Sequence, residues 1–249
     1  VILDEHPLFD EIIHKNKLNS TSTFALSMIK DNLAKGNFLV IADEQSSGSG
    51  RRKNIWYSPQ GGLWFSLGLY NLGQDSSITL FMAVLIHQTI TEIYPSLKDK
   101  LKIKWPNDIM LEDRKLCGIL TSYYSWAKYL VCGIGIDSNI PEMPLELSNI
   151  AVSLRDYLNI EVSNYYLLKV FLDKLYQQLP YFIEHGFVEY QDYYNRSDYL
   201  KDKFISLDTE FQLFRGRVLK TNKKGALILE LDENLIQPFY HGTIVEIDK

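Results

Sequence analysis

KIKWPNDIMLEDRKLCGILTS, residues 102–122, sets two lysines, an Asn-Asp pair and a glycine among apolar runs. Ile103 and Trp105 alternate with Lys102 and Lys104, the period-2 pattern of a strand with one buried and one polar face. Pro106 lacks a backbone donor and stops the ladder, which leaves Asn107 and Asp108 just past the strand end. Glu112-Asp113-Arg114 reads as a tight polar turn and residues 115–120 as the next strand, so the stretch predicts a hairpin. With the faces in agreement, Lys104, Asp108 and Lys115 gather around one cleft. Solvated lysines beside an ordinary turn fit the same letters, and the rest of the chain must decide.

Of 249 residues 46% are hydrophobic, enough for one substantial core and a small second domain. A net charge of -5 argues against a broad basic groove for nucleic acid. Cys117 and Cys132 lie in apolar, strand-like runs without zinc or disulfide spacing, which fits a reducing compartment. VILDEHPLF, residues 1–9, lacks the basic and apolar regions of a secretion signal, and no window is long enough to span a bilayer. The expectation is a cytoplasmic protein that engages neither membrane nor nucleic acid.

Residues 12–18 are short and mixed. Asn19-Ser20-Thr21-Ser22-Thr23 then puts five small polar residues ahead of a periodic segment, predicting a helix over 23–35. One of the five serves as N-cap, and the surplus hydroxyls are available to a ligand at the helix N-terminus. After Gly36-Asn37, residues 38–43 read as an apolar strand. SSGSGRRKNIWYSPQGGLWFSL, residues 46–67, follows. Gly48 and Gly50 let the backbone bend and expose amides, and Arg51-Arg52-Lys53 adds three cations, a combination suited to a phosphate-bearing group. It is neither a nucleotide loop ending in Gly-Lys-Ser/Thr nor a dinucleotide GxGxxG, and a mobile surface loop has the same composition. Trp56 beside it offers an indole for stacking. Residues 63–69 alternate as a strand.

Residues 78–97 form a long helix in which His87 is structural. Residues 129–139 read as a strand with Gly133 and Gly135 on one pleated face, leaving room for a ligand or marking a strand crossing. Asp137 and Asn139 stand at its exit, where ligand contacts are usual in layered folds. A loop over 141–149 precedes helices at 151–158 and 165–179, and an amphipathic segment at 182–194. From Leu207 the character changes to short strands at 211–219, 225–231 and 243–247, joined in part by Asp232-Glu233-Asn234. So small a β module packs against the main domain, with the boundary near 202–208. This divides the chain into 1–203 and 204–249.

The inventory is cations for phosphate and carboxylate, hydroxyls for a polar head group, and glycines that clear a slot. No Ser-His-Asp set, metal cluster or paired carboxylates stand out. Activation of a carboxylate by ATP suits these residues, because cations offset the charge crowding at the α-phosphate.

With KWPNDI (104–109), RKLCGIL (114–120) and GIGIDSN (133–139), and more weakly GSGRRKNIWYSP (48–59), the chain resembles bacterial biotin–protein ligases. The resemblance is to the short form without an N-terminal DNA-binding domain, and it runs from Ser20 to the end. It implies an α+β fold, a mixed β-sheet with helices packed on it, plus a small C-terminal SH3-like β-barrel. It also implies a two-step activity: biotin and ATP give biotinyl-5'-adenylate and pyrophosphate, and the biotinyl group passes to one lysine of a biotin carboxyl carrier domain. Mg²⁺ would accompany the nucleotide, with no protein metal site. Monomer and homodimer both remain open.

Carried over by motif, Ser20, Thr21 and Gln45 would contact the ureido ring or its neighbourhood. Gly48, Gly118, Gly133 and Gly135 would line the biotin slot. Arg51 would hold the biotin carboxylate and then the adenylate phosphate, and Lys115 would bridge carboxylate and α-phosphate, with Lys104 adding charge. Arg52, Asn54, Trp56, Asn107, Asp137 and Asn139 would serve the nucleotide. Asp108 would orient or deprotonate the incoming lysine, an amine mostly protonated at neutral pH.

The sequence departs from the family pattern at several places. Ser49 and Asn54 replace loop arginines, Lys53 replaces a glycine, Asp137 stands where Asn is usual near adenine, and Ser22 follows Ser-Thr in place of Asn. These put nucleotide affinity and adenylate retention in question, and the 46–56 loop is expected to close on the adenylate. A lipoate or octanoate ligase of the same fold is the competing enzyme, and KWPND points away from it. The acidic net charge counts against a biotin-sensing repressor that binds DNA directly. The altered basic loop leaves open a ligase-like scaffold that binds biotin without transferring it.

Overall fold

The computed structural model describes residues 3–232 and 235–248. Its elements begin with β1 (Glu11–Leu18), α1 (Thr21–Lys30), β2 (Phe38–Ser49), β3 (Ile55–Ser58) and β4 (Leu63–Tyr70). Next come α2 (Ile78–Ile93), β5 (Leu101–Lys104), β6 (Asp108–Leu111), β7 (Arg114–Tyr124) and β8 (Tyr129–Ile136). Helices α3 (Leu154–Leu158), α4 (Asn164–His185) and α5 (Val188–Arg196) lead to β9 (Phe204–Asp208), β10 (Leu213–Thr221), β11 (Leu227–Glu230), β12 (Ile236–Phe239) and β13 (Thr243–Ile247).

The large sheet runs β1-β2-β4-β8-β7-β6-β5, with β3 folded back on β2. Only its β1–β2 ladder is parallel among the described strands. Both faces are covered, so β8 is buried along its whole length and β4 at all but its last residue. On one side Ala25, Met28 and Ile29 of α1 pack on Phe38, Val40 and Val131. The other face meets α2, α4 and α5 through Leu39, Phe65, Phe81, Phe171 and Leu175. His87 of α2 is fully engaged there, with Tyr193 and the Leu101 carbonyl.

Several boundaries differ from the sequence expectations. Residues 102–122 give a three-stranded meander, because Asp108 opens a strand of its own and pairs with Lys104 across the Pro106 turn. Residues 12–18 belong to an edge strand whose exposed, charged side chains carry no alternation to read. The first helix starts at Thr21, since Ser20 is extended (φ -158°, ψ 136°) and its hydroxyl accepts from Thr23 N. It stops at Lys30, and Asn32 turns left-handed with φ 54°. Residues 151–153 are extended and only 154–158 helical, whereas α4 runs on to His185.

The C-terminal sheet is antiparallel in the order β12-β11-β10-β9-β13. No β12–β13 ladder closes it among the described residues. Sequence missed β9 and β12, and Glu233 and Asn234 of the expected 232–234 turn lie outside the described residues. Ile205, Leu207, Val218, Leu227 and Leu229 join the main hydrophobic core. Trp105 Nε1 donates to the Gly225 carbonyl at 3.1 Å, and Asn195 of α5 brackets the Thr221 backbone. The small sheet is thus docked on the large one, as the burial argument required.

Candidate functional site

A cavity of about 540 Å³ opens where the C-terminal ends of β2 and β8 meet the β6–β7 hairpin, with Thr243 of β13 at its edge. Its floor is a cross-strand glycine pair, Gly118 of β7 opposite Gly135 of β8. Trp56 lies flat against both: a Cβ at Gly118 would sit 2.7 Å from the indole, and one at Gly135 would sit 2.7 Å from its Nε1. The buried Nε1–H has no acceptor among the described residues. Two residues along β8, a Cβ at Gly133 would meet Ser22 Oγ at 2.3 Å. The glycines are therefore required by close approach, one by α1 and two by the indole.

One end of the cavity is a hydroxyl and amide network with a fixed direction. Thr21 N–H donates to Gln45 Oε1 at 2.7 Å, which identifies that atom as the amide oxygen. The Thr21 hydroxyl donates to the same oxygen at 3.1 Å, so Thr21 can only accept from Ser66 Oγ at 2.8 Å. Ser66 in turn accepts from Ser22 at 2.9 Å. On the other side Gln45 Nε2 donates to Ser58 Oγ, and Ser58 donates to the Trp56 carbonyl. Ser20 takes a hydrogen bond from Ser49 at 3.1 Å.

The other end carries charge. Lys115 Nζ is 2.7 Å from Asp108 Oδ1 and 4.8 Å from the centre of the Trp56 ring. The Lys115 backbone is held between strands, donating to Ile150 O and accepting from Val152 N. Arg51 sits in a tight turn, where Nη1 donates to Asn107 Oδ1 at 3.2 Å and Nη2 to the Gly242 carbonyl at 2.6 Å. Burial draws its guanidinium somewhat below the ordinary value, with Asp108 opposing. Arg52, left-handed at φ 52°, pairs with Asp208 at 2.9 Å and Glu210 at 3.6 Å. The Asn107 amide also donates to Ile119 O. Met143, Leu147 and Ile150 supply an apolar wall.

Of the residues nominated from sequence, Ser20, Thr21, Gln45, Arg51, Arg52, Asn54, Trp56, Asn107, Asp108, Lys115, Gly118, Gly133, Gly135 and Asp137 line this one cavity. Three do not. Asn139 is turned away, its amide spent on both backbone groups of Val162. Gly48 lies a layer behind, where a Cβ would meet the Trp56 carbonyl at 2.5 Å, and so permits the β2–β3 pairing. Lys104 points to the Tyr199 ring, 6.0 Å from its centre, and burial lowers its pKa against the pull of Asp108. The Lys53 side chain lies outside the described set. Ser66, Ser58, the 143–151 wall, Gly242 and Asp208 were not anticipated. Each arrives by a long-range contact that leaves no local pattern, although the stray serine in the apolar run LWFSLGLY was a usable signal for Ser66.

The fold and site thus combine a mixed sheet covered on both faces with a basic turn and a lysine at a glycine-floored slot. Residues 16–139 match the Biotin/lipoate A/B protein ligase family. The chain is 30% identical over 233 residues to the bifunctional ligase/repressor BirA of Bacillus subtilis, covering 90% of this chain and 70% of that one. It is 29% identical to BirA of Escherichia coli over 235 residues, 91% of this chain and 71% of that one. Among solved structures, biotin protein ligase from Aquifex aeolicus in complex with biotin and ATP superposes with a TM-score of 0.85 at 23% identity, over 97% of this chain and all of that one. The biotin acetyl coenzyme A carboxylase synthetase of Helicobacter pylori follows at TM-score 0.63 and 26% identity, over 92% and 99% of the two chains. The chain belongs to the biotin/lipoate protein ligase family.

Proposed function

We propose that this protein is an ATP-dependent biotin–protein ligase acting on a lysine of a biotin carboxyl carrier domain. The observation that carries the reading is the convergence on one cavity of a directed hydroxyl–amide network, a glycine floor and two cations, Arg51 and Lys115. The network end suits a ring that both donates and accepts hydrogen bonds, as a cyclic urea does. The cation end suits a carboxylate meeting a phosphate. In the first step a biotin carboxylate oxygen attacks the α-phosphorus, the bond to the β-phosphate oxygen breaks and pyrophosphate leaves. Lys115 and Arg51 offset the charge that accumulates there. In the second, the carrier ε-amine attacks the acyl carbon, AMP leaves, and the amine proton passes towards Asp108. Gly118 and Gly135 seat the Trp56 indole and Gly133 seats Ser22, so that the ligand lies against the indole, and Asn107 and Asn54 bound the nucleotide end. Arg52 holds the loop in place.

Mg²⁺ enters with the nucleotide phosphates in this reading. No group of three or more His, Cys, Asp or Glu side chains among the described residues is placed to hold a metal, so no step is routed through one. No helix of the described residues is long and apolar enough to cross a membrane, and our reading puts the site of action in the cytoplasm, which the two buried free thiols, Cys117 and Cys132, support. We place the domain boundary between 203 and 204, where β9 begins.

Incubation with biotin, MgATP and an apo carrier domain, followed by intact-mass measurement, tests the proposal. One biotinyl group per carrier is expected. Transfer of lipoate or octanoate instead, with none of biotin, would move the protein to the competing branch of its family.

A further inference from the structure

Strands β2 and β3 pair irregularly beside the cavity. Gln45 faces Ser58 and Gly48 faces Trp56, so β2 advances three residues where β3 advances two, and the extra residue makes a bulge. The bulge is anchored from the start of α1. Ser47 N–H donates to the Asn19 carbonyl at 2.9 Å, and Ser46 Oγ donates to Asn19 Oδ1 at 3.0 Å. On its other side stands the Ser58 hydroxyl, 3% exposed. It accepts from Gln45 Nε2 at 2.9 Å, so its own proton goes to the Trp56 carbonyl at 3.0 Å. The three atoms converge over Gly48. A Cβ there would lie 2.5 Å from Ser58 Oγ, 2.5 Å from the Trp56 carbonyl and 3.1 Å from Gln45 Nε2.

The bonds of Gln45 leave it one free group. Its Oε1 takes both Thr21 bonds and one Nε2–H goes to Ser58, so the amide keeps a single N–H for the cavity that it lines. The two residues that Ser58 joins serve different ends of that cavity. Gln45 belongs to the hydroxyl and amide network, whereas the Trp56 indole lies on the glycine floor, 4.8 Å from Lys115 Nζ. Ser58 lies behind both, and bulges recur where a strand must re-aim a side chain at a site.

We propose that Ser58 is a positioning residue that couples the two ends of the cavity. It directs the one free N–H of Gln45 at the polar head group of the ligand, and it holds the β3 backbone so that the Trp56 indole meets the same ligand. Head-group binding and the setting of the indole are then one event. This deepens the reading of the network end as the biotin head-group site and rests on it.

The test follows biotin binding to the full chain, without nucleotide, by calorimetry and by tryptophan emission. Trp56→Phe isolates the emission of that indole, and Ser58→Ala is combined with Gln45→Ala in a double-mutant cycle. Wild type should change its Trp56 emission when biotin binds. Ser58→Ala should bind biotin about tenfold more weakly, the worth of one or two hydrogen bonds. It should also lose most of the Trp56 emission change at saturating biotin. In the Gln45→Ala background the same replacement should cost less than about threefold, because the N–H that Ser58 directs is gone. Should Ser58→Ala fail to fold, which urea unfolding reveals, Ser58→Cys is read in the same way, since a thiol is a weak donor and a weak acceptor. Equal losses with and without Gln45, or a full emission change in the Ser58 variant, would make Ser58 a support of the fold alone. Either result overturns the proposal and leaves biotin binding standing, as does a wild-type Trp56 emission that bound biotin does not alter. No saturable binding of biotin by wild type would overturn the head-group reading and the proposal with it.

Discussion

Lys115 Nζ and Asp108 Oδ1 are 2.7 Å apart at the cavity wall, on neighbouring strands β7 and β6. In the proposed reaction the carboxylate holds the lysine until the phosphate arrives, and takes a proton once the lysine turns to its ligand. Removing either partner should affect a different half-reaction. Lys115→Ala should slow biotin-dependent ATP–pyrophosphate exchange by about 10²–10³-fold, the usual worth of a preorganised charge at a developing anion. Wild-type exchange in that variant would remove Lys115 from the chemistry.

Asp108→Asn should leave adenylate formation within about tenfold of wild type and slow transfer from preformed adenylate by about 10²-fold or more, the range for a lost general base. Single-turnover transfer to the carrier, followed against pH, separates the two. Equal losses in both steps would mean that Asp108 only positions Lys115.

Arg51 is anchored by Asn107 and by the Gly242 carbonyl, and its neighbour Arg52 by Asp208. The C-terminal sheet thus grips the turn whose cations face the cavity. Arg51→Ala should raise the rate of adenylate escape about tenfold or more, measured by release of labelled adenylate on dilution. Asp208→Ala should raise it by a smaller factor and expose residues 50–54 to protease, since exposed ion pairs are individually weak. A charge-swapped Arg52→Asp, Asp208→Arg pair should recover part of that loss. No recovery would assign the effect to Asp208 alone, whose carboxylate also caps Glu210 N.

The Ser22–Ser66–Thr21–Gln45 relay is one directed chain, so its buried middle controls both ends. Ser66→Ala frees the Thr21 oxygen and removes the acceptor for Ser22. The expected result is a biotin KM raised about five- to tenfold with kcat nearly unchanged, alongside a stability loss of about 1 kcal/mol for one hydrogen bond. A fall in kcat at unchanged KM would place the relay in the chemical step instead.

How much of this was legible depended on range. The strands at β4 and β8, helix α2 and the glycine floor could be read directly, because burial and close approach leave periodicity and Gly in the letters. Trp105 was expected in the core and is, 2% exposed. The meander escaped because Asp108 looked like a turn residue, and its strand is fixed by pairing with Lys104 and Gly118 rather than by local preference. Lys104 and Asn139 stand inside the motifs KWPNDI and GIGIDSN, and the resemblance gives the first a supporting charge and the second a nucleotide contact. Strand pleat turns Lys104 towards Tyr199, and the need to seat the start of α4 claims Asn139. Arg52 and Asp208 are 156 positions apart, and nothing in either segment signals the other.

His87 provides a test of the core that is independent of catalysis. Its ring is 3% exposed, Nε2–H donates to the Leu101 carbonyl at 3.0 Å, and Nδ1 accepts from the Tyr193 hydroxyl at 2.9 Å. Both nitrogens are thus satisfied in the neutral form. Burial lowers its pKa to about 4, with the Leu101 hydrogen bond opposing and Lys102 lowering it further. The folded value lies below the unfolded one of 6.5, so between the two the unfolded chain binds more protons and stability rises with pH. The full contribution is present above that unfolded value and is lost as pH falls towards the folded one. Between neutral pH and pH 5 the loss should be about 2 kcal/mol, from about 1.4 kcal/mol per pKa unit over the part of the gap traversed. His87→Gln cannot titrate in this range and should show a correspondingly flatter acid limb in urea unfolding at the two pH values, whatever its absolute stability. An unchanged slope in the variant would place the acid sensitivity in another group, for which the buried Asp198 carboxyl, raised to about 7 by burial, has the opposite sign.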